Sequence, residues 1–264
     1  MNPTDLTIVI PTRNETANIA RCLRAIPPGI QVILVDASTD QTGDIARRTR
    51  ADHLEVVRDA GNIPRARQIG ADLARTEWIL YSDADVELAP DYVARLSQID
   101  TDAEQGAVIG AKLSRGRYQR YYRWFSGWID LLSRIGVPAG SGSNLLVRRT
   151  ALRLVGGFDT DLSCNEDSEL VWRLRRHGYR VSYASSLRVF EFDHRRLDAG
   201  IWRKTLHSLT RCALIDAGLL GVRGKRSDWG YWAAPTSRRR RVAGRRFRDR
   251  WRGRSRGWRP QGEG

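Results

Sequence analysis

Cysteine is scarce in this chain: Cys22, Cys164 and Cys212 are the only three, far apart and odd in number. That usage supports neither a disulfide framework nor a clustered metal site, and it points to a reducing, cytoplasmic setting. Long apolar runs are missing too. Nothing approaches the ~20 consecutive apolar residues that a bilayer-spanning helix needs. The most apolar late stretch, CALIDAGLLGV at 212–222, is interrupted by Asp216. The start, MNPTDLTIVIPTRNE, has no basic-then-apolar leader, so no signal peptide is expected. Glycine is absent from PTRNE, the turn after the first apolar run. A dinucleotide-binding fold needs Gly-x-Gly-x-x-Gly there, and Gly140-Ser141-Gly142 comes too late to supply it.

The C-terminal end, in turn, has little acid. Residues 222–264 hold 14 Arg and one Lys against Asp228, Asp249 and Glu263, a net +12 of the chain's +15. The body up to 221 is therefore close to neutral. Within the tail, RRRRVAGRRFRDRWRGRSRGWRP interleaves arginine with Phe247, Trp251 and Trp258. Such composition is disordered in isolation. It suits a solvated extension, an anionic membrane surface with Trp at the interface, or a nucleic acid held by phosphate contacts and stacking.

What the body does contain is a regular alternation. Leu6–Ile10, Gln31–Val35, Leu54–Val57 and Trp78–Tyr81 read as strands, separated by helical stretches at 16–26, 42–50 and Pro64–Arg75. Strands that are apolar throughout and alternate with helices predict a parallel sheet covered on both faces. Beyond Pro90 the pattern is mixed. Ala107–Lys112, Ser143–Val147, Arg180–Tyr183 and Leu187–Phe192 read as strands, and Tyr118–Ile135 and Asn165–His177 as helices.

Polar clusters stand at the carboxyl ends of the early strands: PTRNE after the first, DASTD after the second, SDAD after the fourth. Open α/β sheets bind ligands beyond those ends. In an extended segment Asp83 and Asp85 face one way, and two adjacent anions repel unless a cation lies between them. An acidic turn before a helix begun at Pro90 is the plainer reading of the same residues.

Taken in order, IVIPTRNE, VDASTD, ARQIGADLA, WILYSDAD, GGFDTDLSCNEDSELVWRLRRHGYRV and the later His194 resemble the family 2 glycosyltransferases. The likeness covers about residues 5–196. It implies an α/β fold of the GT-A, Rossmann-like type: one domain over 1–221 with a mostly parallel central sheet flanked by helices, and a basic extension over 222–264. Its nucleotide-sugar half would be about 1–90 and its acceptor half about 91–221. The resemblance implies an inverting transfer of one sugar from a nucleoside diphosphate sugar to a hydroxyl. UDP-hexose is the default donor and GDP-mannose the next.

By the same resemblance, Pro11, Arg13, Glu15 and Asp36 would hold the base and ribose. Arg67 would contact the nucleotide or its phosphates, with Arg65 as the competing register. Asp83 would reach the ribose or a metal-bound water, and Asp85 would ligate Mg²⁺ or Mn²⁺. His194 stands where some members add a further metal or phosphate contact. Asp167 matches the general base, with its neighbour Glu166 as the alternative. The chemistry suits these residue types: a hard cation on carboxylate oxygen stabilises a departing diphosphate, and a carboxylate takes the acceptor's proton. Structural readings compete. Glu15 also reads as a helix cap, Asp36 and Asp40 as turn residues. Asp167 also reads as helix-dipole charge, and His194 as a packed residue.

Two departures from the family's commoner pattern matter. The second strand ends Asp36-Ala37-Ser38 where many members carry a second acid or glycine, and the Gln-x-x-Arg-Trp motif of processive members is missing around Ile201-Trp202-Arg203. Single-sugar transfer follows, to an acceptor read as lipid or lipid-linked. The tail would then meet the inner face of the membrane, and Trp124, Phe125 and Trp128 would line the acceptor side or pack on the sheet. Two rivals remain. A nucleotidyltransferase would carry a Gly-rich basic loop after the first strand, which PTRNE is not. A nucleic-acid-binding protein on a degenerate transferase scaffold is disfavoured by the intact Asp83, Asp85 and Asp167.

Overall fold

Four apolar runs become four parallel strands: β1 (Leu6–Thr12), β2 (Gln31–Asp36), β3 (Leu54–Arg58) and β4 (Trp78–Tyr81). The computed structural model describes residues 3–134, 136–137, 140–193, 201–219 and 222–226, so His194 and the chain beyond Arg226 lie outside them. Helices α1 (Ile19–Arg24), α2 (Thr42–Thr49) and α3 (Ile63–Leu73) connect these strands. Then come β5 (Val86–Leu88), α4 (Tyr92–Leu96), β6 (Gln105–Ser114), α5 (Gln119–Arg134), β7 (Leu145–Arg148), α6 (Arg149–Leu154), α7 (Glu166–Arg176) and β8 (Arg180–Glu191). Two further helices, α8 (Ile201–Asp216) and α9 (Val222–Arg226), complete the described chain.

All eight strands form one sheet in the order β3-β2-β1-β4-β7-β6-β8-β5. It is the mixed, mostly parallel α/β arrangement expected, with two antiparallel strands: β7 runs antiparallel to both β4 and β6, and β5 antiparallel to β8. The strands' period of two divides their side chains between two cores. Ile8, Ile10, Leu34 and Leu80 pack with Ile19, Leu23, Ala46 and Tyr92 from α1, α2 and α4. Val9, Ile33, Val35 and Ile79 face Ala71, Ile129, Leu152 and Leu170 from α3, α5, α6 and α7. Burial on both sides explains why these strands are continuously apolar.

The expected pair of strands at 180–192 is a single one. Against β6, Gly110 pairs with Ala184 but Ala111 pairs with Arg188, so residues 185–187 bulge out. A bulge interrupts the alternation and reads in sequence as a turn.

One glycine fixes how closely α3 lies on β1. A Cβ at Gly70 would sit 2.3 Å from Cγ1 of Val9. Val9 is fully buried and stiff at χ1, so it has nowhere to move. Gly70→Ala is expected to destabilise the fold by about 1–3 kcal/mol despite the gain in helix propensity. Thermal denaturation checks this, and an unchanged Tm would mean that α3 can lift off the sheet.

Candidate active site

The sheet reverses its direction of growth between β1 and β4, and the two strands part there. Ser82 N still donates to Val9 O at 3.1 Å, but β4 has ended at Tyr81 while β1 continues along β2. Pro11 is tolerated inside a central strand because it lies beyond the last residue paired with β4. The opening left above β4 is the place where such sheets bind ligands.

Three loops line it. On the β2 side, the fully buried Asp36 accepts from Ser38 N at 2.9 Å and from Thr12 Oγ1 at 3.3 Å, and its other oxygen meets Arg58 Nη1 at 2.9 Å. The PTRNE loop is laced to the same turn. Asn14, at φ 57°, donates its N–H to Ser38 Oγ at 2.8 Å and accepts from Thr39 N at 2.9 Å. Glu15 N donates to Thr42 Oγ1 at 2.9 Å. The Glu15 carboxylate accepts from the Asn18 side chain at 2.6 Å. Arg13 is exposed and Pro11 half-buried.

After β4 the geometry differs from the extended segment expected. The chain turns at Ala84–Asp85, with Val86 N pointing back to Asp83 O at 3.4 Å. Ala84 drops into the core and leaves both aspartates half-buried. Burial, and after it the negative charges of Asp85, Asp83 and Glu15, push the Cys22 thiol far up.

On the far side stands α7, which begins with Glu166 and Asp167. The two acids have different surroundings. Glu166 is buried and accepts from Arg67 Nη1 at 2.5 Å. Asp167 is half-buried and accepts from Gly142 N at 2.6 Å and Ser168 N at 2.7 Å. Arg67 joins both halves, because its Nη2 donates to Asp83 Oδ1 at 3.3 Å. Burial pulls the Arg67 pKa down, but Glu166, Asp83 and Asp167 more than reverse that and keep the guanidinium charged. Arg65, the competing register, is exposed and paired with Asp59.

Several residues of this arrangement carry little or no signal in the sequence. Gly140 and Gly142 are two: a Cβ at Gly142 would lie 2.2 Å from Arg67 Nη2, and one at Gly140 2.7 Å from the Asp167 carbonyl. Lys112 is another. It pairs with Glu191 and donates to Ser143 Oγ at 2.9 Å. Burial pulls its pKa down, but Glu191, Asp85 and Asp83 hold it above the ordinary lysine value. Its one sequence signal is that it is one of three lysines in an arginine-rich chain. The loop leading to α7 is clamped from two directions. Asn62, at the start of α3, donates to Thr160 O at 2.8 Å, and Gln68 accepts from Phe158 N at 2.8 Å. From the C-terminal side, Lys225 reaches Asp159 and Arg211 reaches Ser163, both by hydrogen bonds.

Glycosyl transferase family 2 matches this chain over residues 7–156, more than half of its 264 residues. The chain belongs to that family. Its relatives in the family include the succinoglycan biosynthesis protein ExoA of Rhizobium meliloti (strain 1021), 25% identical over 77% of this chain and 68% of that protein. The pre-mycofactocin glycosyltransferase of Mycobacterium tuberculosis is 27% identical over 72% of this chain, and the chain spans only 43% of its length. A 4,4'-diaponeurosporenoate glycosyltransferase of Staphylococcus aureus is 34% identical over 52% of this chain and 38% of its own. Among solved structures, the mannosyltransferase PcManGT of Pyrobaculum calidifontis, in complex with GDP-Man and Mn²⁺, superposes with a TM-score of 0.65 at 23% identity, over 82% of this chain and 65% of that one. S. aureus TarS 1–349 with UDP-GlcNAc gives 0.58 at 16% identity, over 88% and 75%. The glycosyltransferase fold is therefore GT-A. The family match stops at residue 156, ahead of Glu166 and Asp167.

Proposed function

We propose that this family 2 glycosyltransferase moves one sugar from a nucleoside diphosphate sugar to a hydroxyl, with inversion. The observation that carries the reading is the Asp83–Arg67–Glu166 chain of ion pairs, which ties the acid pair above β4 to the acids at the start of α7. A donor lying across that link would have its diphosphate at Asp83 and Asp85 and its anomeric carbon toward Asp167.

Asp167 accepts the acceptor's proton as its oxygen attacks the anomeric carbon. The bond to the diphosphate breaks on the opposite face, and attack from behind inverts the centre. Each Asp167 oxygen keeps a lone pair for that proton, since the two backbone N–H groups use one apiece. Glu166 holds Arg67 in place, and Arg67 contacts the nucleotide or its phosphates. Pro11, Arg13, Glu15 and Asp36 enclose the base and ribose.

A divalent ion, Mg²⁺ or Mn²⁺, fits the residues present. Asp83 and Asp85 offer hard carboxylate oxygens, and among the described residues no third His, Cys, Asp or Glu groups with them. That incomplete shell suits an ion that completes its coordination with phosphate oxygens and water. When bound, it would offset the charge that grows on the leaving diphosphate. Two fold neighbours hold different donors, GDP-Man and UDP-GlcNAc, so the fold does not select the base. UDP-hexose is the reading taken here, with a lipid-linked acceptor and the arginine-rich tail resting on the inner face of a membrane.

Calorimetric titration of UDP, GDP and dTDP, with and without Mn²⁺, tests the donor site. One nucleotide is expected to bind in a metal-dependent way, and Asp85→Ala to weaken that binding by about 10²-fold, the loss of a charged ligand. Nucleotide affinity that ignores both metal and Asp85 would remove this reading of the acid pair.

A further inference from the structure

The helix α5 has two apolar faces, and only one is used by the fold. Tyr122, Ser126 and Ile129 point inward onto β6 and β8. On the outer side Trp124 is 51% exposed, Trp128 45% and Leu131 49%. These are not scattered residues. The Trp124 and Trp128 rings meet at 6.1 Å, Tyr121 lies 6.3 Å from Trp124, and Tyr121 stacks on Phe125 at 6.0 Å. A continuous aromatic ridge on a surface helix marks an interaction site.

Its charge is one-sided. Arg115, Arg117, Arg120 and Arg123 are all exposed, and no acid occurs between 115 and 129. At the start of the helix, Arg115, Gln119, Arg123 and Phe190 line an open groove of about 340 Å³. Arg115 also lies over the Phe190 ring at 4.2 Å and meets Glu87 at 3.3 Å, which holds it at the groove edge.

We propose that the outer face of α5 docks this protein onto an anionic lipid bilayer. Tryptophan and tyrosine favour the headgroup level, and arginines beside them meet acidic lipid headgroups, one of which the groove can seat. The attachment is superficial, since no described helix is long and apolar enough to cross a membrane. Two other occupants are disfavoured by charge. The chain's own segment 229–264 carries 12 Arg against Asp249 and Glu263 and would bring cation against cation. A second copy docking about a two-fold axis would oppose identical arginine-bearing faces. The docking is independent of the transfer reaction and of the tail.

An environment-sensitive dye on Gly127→Cys reads it directly in the full chain. A Cβ at Gly127 meets nothing within 4 Å, so the label fits on the outer face. Cys22 and Cys164 are buried, and Cys212→Ala removes the third thiol. The control label is Arg47→Cys, exposed on α2 across the sheet. With vesicles of phosphatidylcholine and phosphatidylglycerol, the dye at 127 is expected to brighten and shift to the blue while the dye at 47 stays unchanged. Arg120→Gln with Arg123→Gln should weaken partition about thirty-fold. Trp124→Ser with Trp128→Ser should weaken it about ten-fold or more. The arginine pair faces solvent and should leave Tm unchanged; the tryptophan pair is about half exposed, and melting curves check that the double variant still folds. The proposal is overturned if the protein does not bind these vesicles, or binds with the dye at 127 still in water. An equal response to pure phosphatidylcholine or to an RNA homopolymer would overturn it too.

Discussion

Asp167→Asn is expected to lower kcat by about 10²–10⁴-fold, the range that a positioned base supplies, with donor binding near wild type. The substitution is close to isosteric. The Asn oxygen retains one of the two backbone N–H bonds now made from Gly142 and Ser168, and the amide loses the other. That loss costs about 1 kcal/mol of stability, too little to unfold the domain. Glu166→Gln should behave in the opposite way. Glu166 is buried against Arg67, and neutralising it strips a charge partner from a guanidinium that burial disfavours. Its main effect should be a lowered Tm, with activity falling as the site loosens. Initial rates and melting curves on both variants separate the two acids. Full loss of kcat in Glu166→Gln at unchanged Tm, with Asp167→Asn still active, would exchange their roles.

How much of this arrangement is legible in the sequence depends on the range of the contact. The runs at 6–10, 31–35, 54–57 and 78–81 are legible because a strand buried on both faces has no polar interruption, and the strands match within two residues. Helix α6 escapes notice because Arg149–Leu154 follows β7 without any break in the sequence. α8 escapes it because its helical stretch follows the motif region with no strand to frame it. At the site, the polar clusters at strand ends are visible as types in an order. Their convergence is not. Arg67 meets Glu166 across 99 positions, and Gly142 meets Asp167 across 25. Lys112 pairs with Glu191 from β6, a strand with no motif of its own. Gly140 and Gly142 look irrelevant because they fail one glycine motif, yet each allows backbone or guanidinium to approach where a Cβ would collide. Even the acid pair is placed by a mechanism other than the one its spacing suggests. The strand ends at Tyr81, and a turn with Ala84 buried beneath it leaves Asp83 and Asp85 half-buried.

Arg67→Met should produce the largest loss of stability among single substitutions at the site. The guanidinium is buried, one Nη on Glu166 and the other on Asp83, and its Nε is buried with no hydrogen-bond partner among the described residues. Removing the cation leaves the Glu166 carboxylate in the interior without a counter-charge. Breaking one side of a buried pair costs about 3–5 kcal/mol, which for a domain of this size lowers Tm by about 10 °C. Met fills similar volume, so the loss reports on charge and not on a cavity. Arg65→Met, two positions away on the same helix, removes only an exposed pair with Asp59 and should cost about 0.5 kcal/mol or less. A second substitution sharpens the test. If Arg67 acts by neutralising Glu166, then Arg67→Met with Glu166→Leu should recover much of the lost stability, because an apolar pair replaces a stranded charge. Activity should stay low in that double variant, since Asp83 loses its link to the start of α7. A drop of less than about 2 °C in Arg67→Met, within the range of ordinary surface changes, would mean that Glu166 is neutral in the folded protein. The link between the two halves of the site would then be a hydrogen bond rather than an ion pair.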